Sequence, residues 1–214
     1  RPDLFNIGLL HTSANGRPGH EPYAPCTLED LLSKGYDYWA LGHVHRREVL
    51  HRDPWVVYPG NIQGRHIREA GPKGCTLVSV DDGKVIAADH HDLDVLRWVR
   101  WEVNAAGTGS APEVLDLVLA KLEAETAAGV DCSLAVRLRV HGSCSAHLEL
   151  SMAPEHWVNE IRSLATDLSG GKIWLEKILF ETTTEVNLTE MSARQDALGS
   201  LLRGIQDLSV NERL

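Results

Sequence analysis

No stretch of the 214 residues runs apolar for anything near the ~20 positions a membrane helix requires. The N-terminus also lacks the order of charged, apolar and small residues that marks a secretory signal. The cytoplasm is therefore the expected compartment, with no membrane among the expected partners. Cysteine is sparse: Cys26, Cys75, Cys132 and Cys144 are scattered without a C-x-x-C pair. That spacing excludes a zinc knuckle, gives no disulfide framework, and reads as reduced, mostly buried thiols. Positive charge is in deficit, with 21 Lys and Arg against 30 Asp and Glu and a net charge of −9. This is the wrong sign for bulk attraction to nucleic acid, so a polyanion would have to be met by a local patch or by metal ions. No internal repeat stands out.

A hydrophobic fraction of 43% is present, enough for one or two packed cores in a globular chain. The first ninety residues alternate strand and helix signals. "FNIGLL" (5–10), "YDYWAL" (36–41) and "WVVY" (55–58) read as buried strands. "TLEDLLSK" (27–34) reads as a short helix opened by a Thr27-x-x-Asp30 capping box and stopped at Gly35. "CTLVSV" (75–80) and "KVIAADHHDL" (84–93) flank Asp81-Asp82-Gly83, a hairpin signal. "LRWVRWEV" (96–103) then alternates with period two, and "NAAGTGSA" (104–111) reads as a flexible connection. Ser110-x-x-Glu113 opens a helix that stops at Gly129, followed by a strand (134–141), a helix (153–168) and a strand (172–180). This β-α-β-α-β unit predicts a second small domain. The tail predicts one more helix from Ser192, with Leu198, Leu201, Leu202, Ile205 and Leu208 on one stripe. A buried-type strand so close to Arg1 has no partner upstream, so the chain is expected to be a fragment.

The chemistry sits in the histidines. In α/β folds ligands gather at the carboxyl ends of strands. His11 follows "FNIGLL", and Gly42-His43-Val44-His45 follows "YWAL". If both strands share a sheet, three imidazoles converge from separate loops, as metal ligands do, and suit manganese, iron or zinc. His51, His90, His91, His141, His147 and His156 lack that setting and read as ordinary surface or hydrogen-bonded residues.

"LLH" (9–11), "GHVH" (42–45) and "YPGN" (58–61) resemble the C-terminal half of the calcineurin-like metallophosphoesterases. The longer stretches "YAPCTLEDLLSKGYDYWALGHVH" and "YPGNIQGRHIREAGPKGC" resemble the YhaO- and SbcD-type DNA repair exonuclease branch. A weaker likeness runs on to "RQDALGSLL" (194–201). The resemblance implies an α/β fold: the C-terminal half of a double β-sandwich flanked by helices (1–93), a small α+β capping domain that places DNA (94–184), and a C-terminal tail helix (185–214). It also implies two divalent ions, Mn2+ in this branch, with His11 and His43 on one and His45 on the other. The family's Asp-x-His, Gly-Asp and Gly-Asn-His motifs do not occur here in order. Asp89-His90-His91 falls after the histidine motifs and reads as coincidence. Three histidines do not hold two hard ions without carboxylates. The expectation is thus the C-terminal portion of a Mn-dependent DNA exonuclease, inactive alone.

Other residues carry narrower expectations. Asn61 and Arg65 are candidate substrate-binding residues, the guanidinium of Arg65 meeting a phosphate through its planar fork. Arg46, Arg47 and Arg68 are candidate DNA contacts. Arg137 and Arg139, two apart on a strand, read as a polar outer face. The tail helix is a candidate docking surface for an SMC-like ATPase, and a homodimer is possible on this reading. Two alternatives stay open: a non-enzymatic DNA- or ATPase-docking module, and a mononuclear zinc hydrolase built on His11, His43 and His45.

Overall fold

The computed structural model describes residues 4–16, 23–129 and 131–185, together with 191, 193, 195–197 and 199–204. Of the stripe assigned to the tail helix, Leu198, Ile205 and Leu208 lie outside the described residues, as does Ser192. The architecture is mixed α/β, as the alternation of patterns predicts. Among the described residues no helix is long and apolar enough to cross a membrane.

The first sheet has the order β1-β2-β4-β3, with β1 Ile7–His11, β2 Tyr38–Gly42, β3 Glu48–Arg52 and β4 Trp55–Tyr58. Strands β1, β2 and β4 are parallel, and β3 returns antiparallel along β4 with a register shift between Val49 and His51. Helix α1 (Leu28–Leu32) bridges β1 and β2, and its N-terminus carries the anticipated capping box. The Thr27 hydroxyl accepts from the Asp30 N–H at 3.1 Å while the Asp30 carboxylate accepts from the Thr27 N–H at 2.8 Å. The core under this sheet is small, built on Leu31, Trp39, Leu41, Val56 and Tyr58. Gly8 is required by it: a Cβ there would lie 2.3 Å from the Trp39 ring. Strands β5 (Gly74–Asp81) and β6 (Lys84–Asp92) form the hairpin, turning at Asp82-Gly83.

Strand β7 (Leu96–Asn104), helix α2 (Ala111–Ala127), strand β8 (Ser133–Ser143), helices α3 (His147–Met152) and α4 (Pro154–Ser169) and strand β9 (Ile173–Thr183) make the second unit. Its three strands are parallel in the order β7-β8-β9. Period-two alternation sends Trp101, Val103, Val136, Leu138, Val140 and Leu175 to one face, where they meet Val114, Val118, Leu122, Ile161 and Ala165 of the helices. Helix α2 opens through Glu113, whose carboxylate accepts from the Gly109 N–H and the Ser110 hydroxyl. The opposite face carries Trp98 and Trp174, ring centroids 6.2 Å apart, beside a set of charged side chains. Arg137 pairs with Glu176 at 2.8 Å, and Arg139 pairs with Glu102 and Glu181, so both arginines are held by carboxylates of their own sheet.

The segment after β4 ties the two units together. The Gln63 side chain donates to the Leu96 carbonyl and accepts from the Val95 N–H, and the Trp98 indole donates to the Gly64 carbonyl. Two expectations need correction. Strand β1 is not the buried strand expected: at the edge of its sheet it leaves Ile7 54% and Leu9 80% exposed. The thiols are not mostly buried: only Cys144 is, while Cys75 is exposed.

Candidate metal centre and its basic pocket

Parallel pairing of β1 with β2 sets His11 opposite Gly42 in register, so the two strand ends finish side by side. The rings of His11 and His43 meet edge to face with centroids 5.2 Å apart. Glycine at 42 is needed for this, because a Cβ there would come within 2.9 Å of His11 Nδ1. His43 itself adopts φ +103°, a conformation that L side chains rarely take and that is retained where the surroundings over-determine it. Tyr23 flanks both rings, at 5.2 Å from His11 and 6.2 Å from His43. The buried hydroxyl of Tyr58 fixes the backbone after β1, donating to the Thr12 carbonyl at 2.8 Å and accepting from the Ala14 N–H at 2.9 Å.

His45 belongs to a different set of neighbours. Its Nδ1 lies 2.7 Å from Glu69 Oε1 and 3.0 Å from Arg65 Nη2. A carboxylate at that distance calls for a proton on Nδ1, which leaves the lone pair of a neutral ring on Nε2; this assigns the tautomer from its hydrogen bond. Arg65 then pairs with Glu69 Oε1, at 3.1 Å. Glu69 also accepts from the Asn61 side-chain amide and the Arg65 backbone N–H, both at 2.9 Å. Burial pushes the Glu69 carboxyl up, but the bonds from Arg65, His45 and Asn61 outweigh it and hold the group far below the usual carboxylate range. Gly60, at φ +82°, lets this loop pack against the backbone of 45–47, where Asn61 N–H donates to the His45 carbonyl at 3.1 Å.

A cavity of about 420 Å³ opens beside His45, lined by Arg46, Arg65, His66, Arg68, Glu69 and Lys73. Three of the candidate contacts, Arg46, Arg65 and Arg68, thus share one pocket. Arg47 does not line it: its guanidinium reaches the β5–β6 hairpin, donating to the Ala88 carbonyl at 2.9 Å and to Thr76 Oγ1 at 3.3 Å. Asn61 stands behind the pocket as a brace for Glu69 rather than at its rim. Asp89 and His91 lie within β6, opposite Leu77 and Cys75, and His90 pairs with Asp92 at 3.3 Å.

Among the described residues, no three His, Cys, Asp or Glu side chains form a group that can hold a metal ion. Strand ends bring His11 and His43 together, while His45 is bonded to Glu69. The chemistry of the donors still fits part of a metal centre, with two adjacent imidazoles and a third whose tautomer a carboxylate fixes, an arrangement typical of metal-ligating histidines. Sequence reading missed Glu69, Lys73 and Tyr23. For Glu69 a signal existed: it is the one carboxylate in the basic run "GRHIREAGPK" (64–73).

Comparison with known proteins bears on the reaction class. Residues 98–183 match the family "Metallophosphoesterase YhaO, middle domain". The chain is 34% identical over 194 residues, 87% of its length, to "Uncharacterized metallophosphoesterase YhaO" of Bacillus subtilis (strain 168), and it spans 46% of that relative's length. The likeness supports reading the chain as the C-terminal portion of a metallophosphoesterase.

Proposed function

We propose that this chain is the C-terminal portion of a metal-dependent phosphodiesterase acting on DNA, an exonuclease of DNA repair that uses manganese. The observation that carries the reading is the pair of imidazoles at the ends of two registered parallel strands, His11 and His43 at 5.2 Å, with His43 in a costly backbone conformation. The relative's name, a metallophosphoesterase, supports phosphoester hydrolysis as the reaction class. His11 and His43 would hold one divalent ion and His45, oriented by Glu69, the other. Divalent cations bound there supply Lewis acidity toward phosphoryl oxygens.

The remaining parts of the reading concern this chain's own groups. Glu69 fixes the His45 ring and is itself fixed by Arg65 and Asn61. Arg65, Arg46 and Arg68 supply positive charge beside the imidazoles, where a strand of phosphates has to pass. Carboxylate donors, which hard cations need, would complete the site in the full-length protein.

The test compares the full reading frame with the 214-residue chain in a manganese-dependent assay on linear DNA. The full protein is expected to hydrolyse DNA, and His11→Ala or His43→Ala to lower turnover by about a hundredfold or more. The shorter chain is expected to show none. Robust turnover by the shorter chain overturns the shared site. Binding of DNA without hydrolysis by the full protein overturns the exonuclease and favours a docking module.

A further inference from the structure

Four cationic side chains, Arg46, Arg65, Arg68 and Lys73, line the pocket beside His45, against one carboxylate, Glu69. Glu69 is committed to Arg65 and His45, so Arg46, Arg68 and Lys73 have no carboxylate within ion-pair distance among the described residues. A surplus of three positive charges in one concavity stands out on a chain whose net charge is −9. Lys73 is the unusual member. It is only 8% exposed, and lysine is almost never buried unless paired.

Its position is also fixed. The Lys73 carbonyl accepts from the Leu93 and Asp94 N–H groups at 2.8 and 3.1 Å, stapling the start of β5 to the chain between β6 and β7. The next residue, Gly74, packs so closely on β6 that a Cβ would collide with the His91 carbonyl. The lysine is therefore held at the pocket wall by backbone on both sides. Its stem is packed into the wall while no carboxylate among the described residues neutralises the ammonium, so an anion entering the pocket meets a positioned positive charge.

We propose that this pocket is a phosphate-binding subsite for a DNA strand, with Lys73 as its buried anchor and Arg46 and Arg68 at its rim. The proposal rests on the phosphodiesterase reading for the identity of the ligand and goes beyond it by assigning a phosphate other than the scissile one to a separate set of residues. The pocket volume of about 420 Å³ accommodates a phosphate with its flanking sugar. Terminal phosphomonoesters and internal phosphodiesters both present anionic phosphoryl oxygens but differ in charge, and the test distinguishes them.

The experiment measures fluorescence anisotropy of a labelled single-stranded oligodeoxynucleotide, with and without a 5′-phosphate, on the 214-residue chain in chelator across a salt series. Lys73→Met and Arg68→Ala are each expected to weaken binding about tenfold and to lower the salt slope by about one. Arg162→Ala, on the exposed side of α4 away from the pocket, is expected to change neither. A 5′-phosphate advantage that Lys73→Met abolishes supports a terminal-phosphate site, and equal binding of both oligonucleotides with the same variant losses supports a backbone-phosphate site. Binding by Lys73→Met and Arg68→Ala within twofold of wild type overturns the proposal, as does an equal loss in Arg162→Ala. Should Lys73→Met fail to fold, the exposed Arg68 variant with an unchanged melting curve decides the outcome alone. Metal-free binding is independent of turnover, so the subsite can fail while the full protein still cleaves DNA, and can stand where cleavage is never found.

Discussion

Residues 96–183 wrap a continuous core in which one face of β7-β8-β9 is covered by α2 and α4, while the sheet that carries the histidines covers itself far less completely. Strand β1 lies at the end of that sheet with Leu9 80% and Ile7 54% exposed, and the β5–β6 hairpin shows Ile86 at 68%. An edge strand with outward leucine and isoleucine is the kind of surface that further chain or a partner covers. The unit without candidate ligands is thus self-sufficient, and the unit bearing them depends on more surface. Separating the two should give the largest effect. Residues 94–185 alone are expected to unfold cooperatively with protected amides in β8, whereas residues 4–93 alone are expected to show neither cooperative melting nor protection. A cooperative transition in 4–93 would break the comparison.

The self-covering unit was also the more legible one. Its strands and helices announce themselves through period-two runs at 96–103 and 134–141, and through a 3.6-residue stripe at 157–168, because a single face does all the burying. The short helix α3 escaped, having too few residues to show a period. In the first unit the hairpin at Asp81-Asp82-Gly83 and the capping box at Thr27 were readable because they depend on local backbone chemistry. Strand β3 was not, since its edge position allows Glu48, His51 and Arg52, and the shift after Val49 breaks alternation. In the site, strand order predicted that His11 would meet the Gly42-His43-Val44-His45 turn, and the assignment of His11 with His43 came from the family resemblance. The bonding of His45 to Glu69 and the structural use of Arg47 depend on Glu69 and on the hairpin, long-range partners that no local pattern announces.

Two substitutions sharpen the contrast. Leu138→Ala, at the centre of the larger core, is expected to cost about 2–5 kcal/mol in urea unfolding. Leu9→Ser in this chain should stay within about 0.5 kcal/mol, because that side chain already faces water. At the joint, the buried Asp94 carboxylate is bonded to Arg97 at 2.8 Å. Burial raises its pKa, but the Arg97 bonds prevail and hold the carboxyl below its ordinary value. A depressed folded pKa gives stabilisation that is present above the unfolded value of about 4 and lost as pH falls through it toward the folded one. Asp94→Asn is therefore expected to cost ~2 kcal/mol at neutral pH and to flatten the acid limb of the stability curve. An unchanged acid limb would show that the pair contributes nothing to stability.

The smallest effect tests where strain is stored. Every non-glycine residue with positive φ among those described, namely Asn15, Ala24, His43 and Asp82, lies in the first unit. Asn and Asp tolerate that region through their short polar side chains, and Asp82 occupies a hairpin turn where it is demanded. His43 at φ +103° has no such excuse, since glycine would satisfy the same backbone without the steric cost. A side chain there costs about 1 kcal/mol or more, which substitution can measure. Accordingly, His43→Gly is expected to be more stable than His43→Ala by about 1 kcal/mol, because both lose the ring contacts with His11 and Tyr23 but only glycine relieves the backbone. Equal stability of the two variants in urea unfolding would mean that the conformation is unstrained, and would remove the local sign that this histidine is held for chemistry rather than for packing.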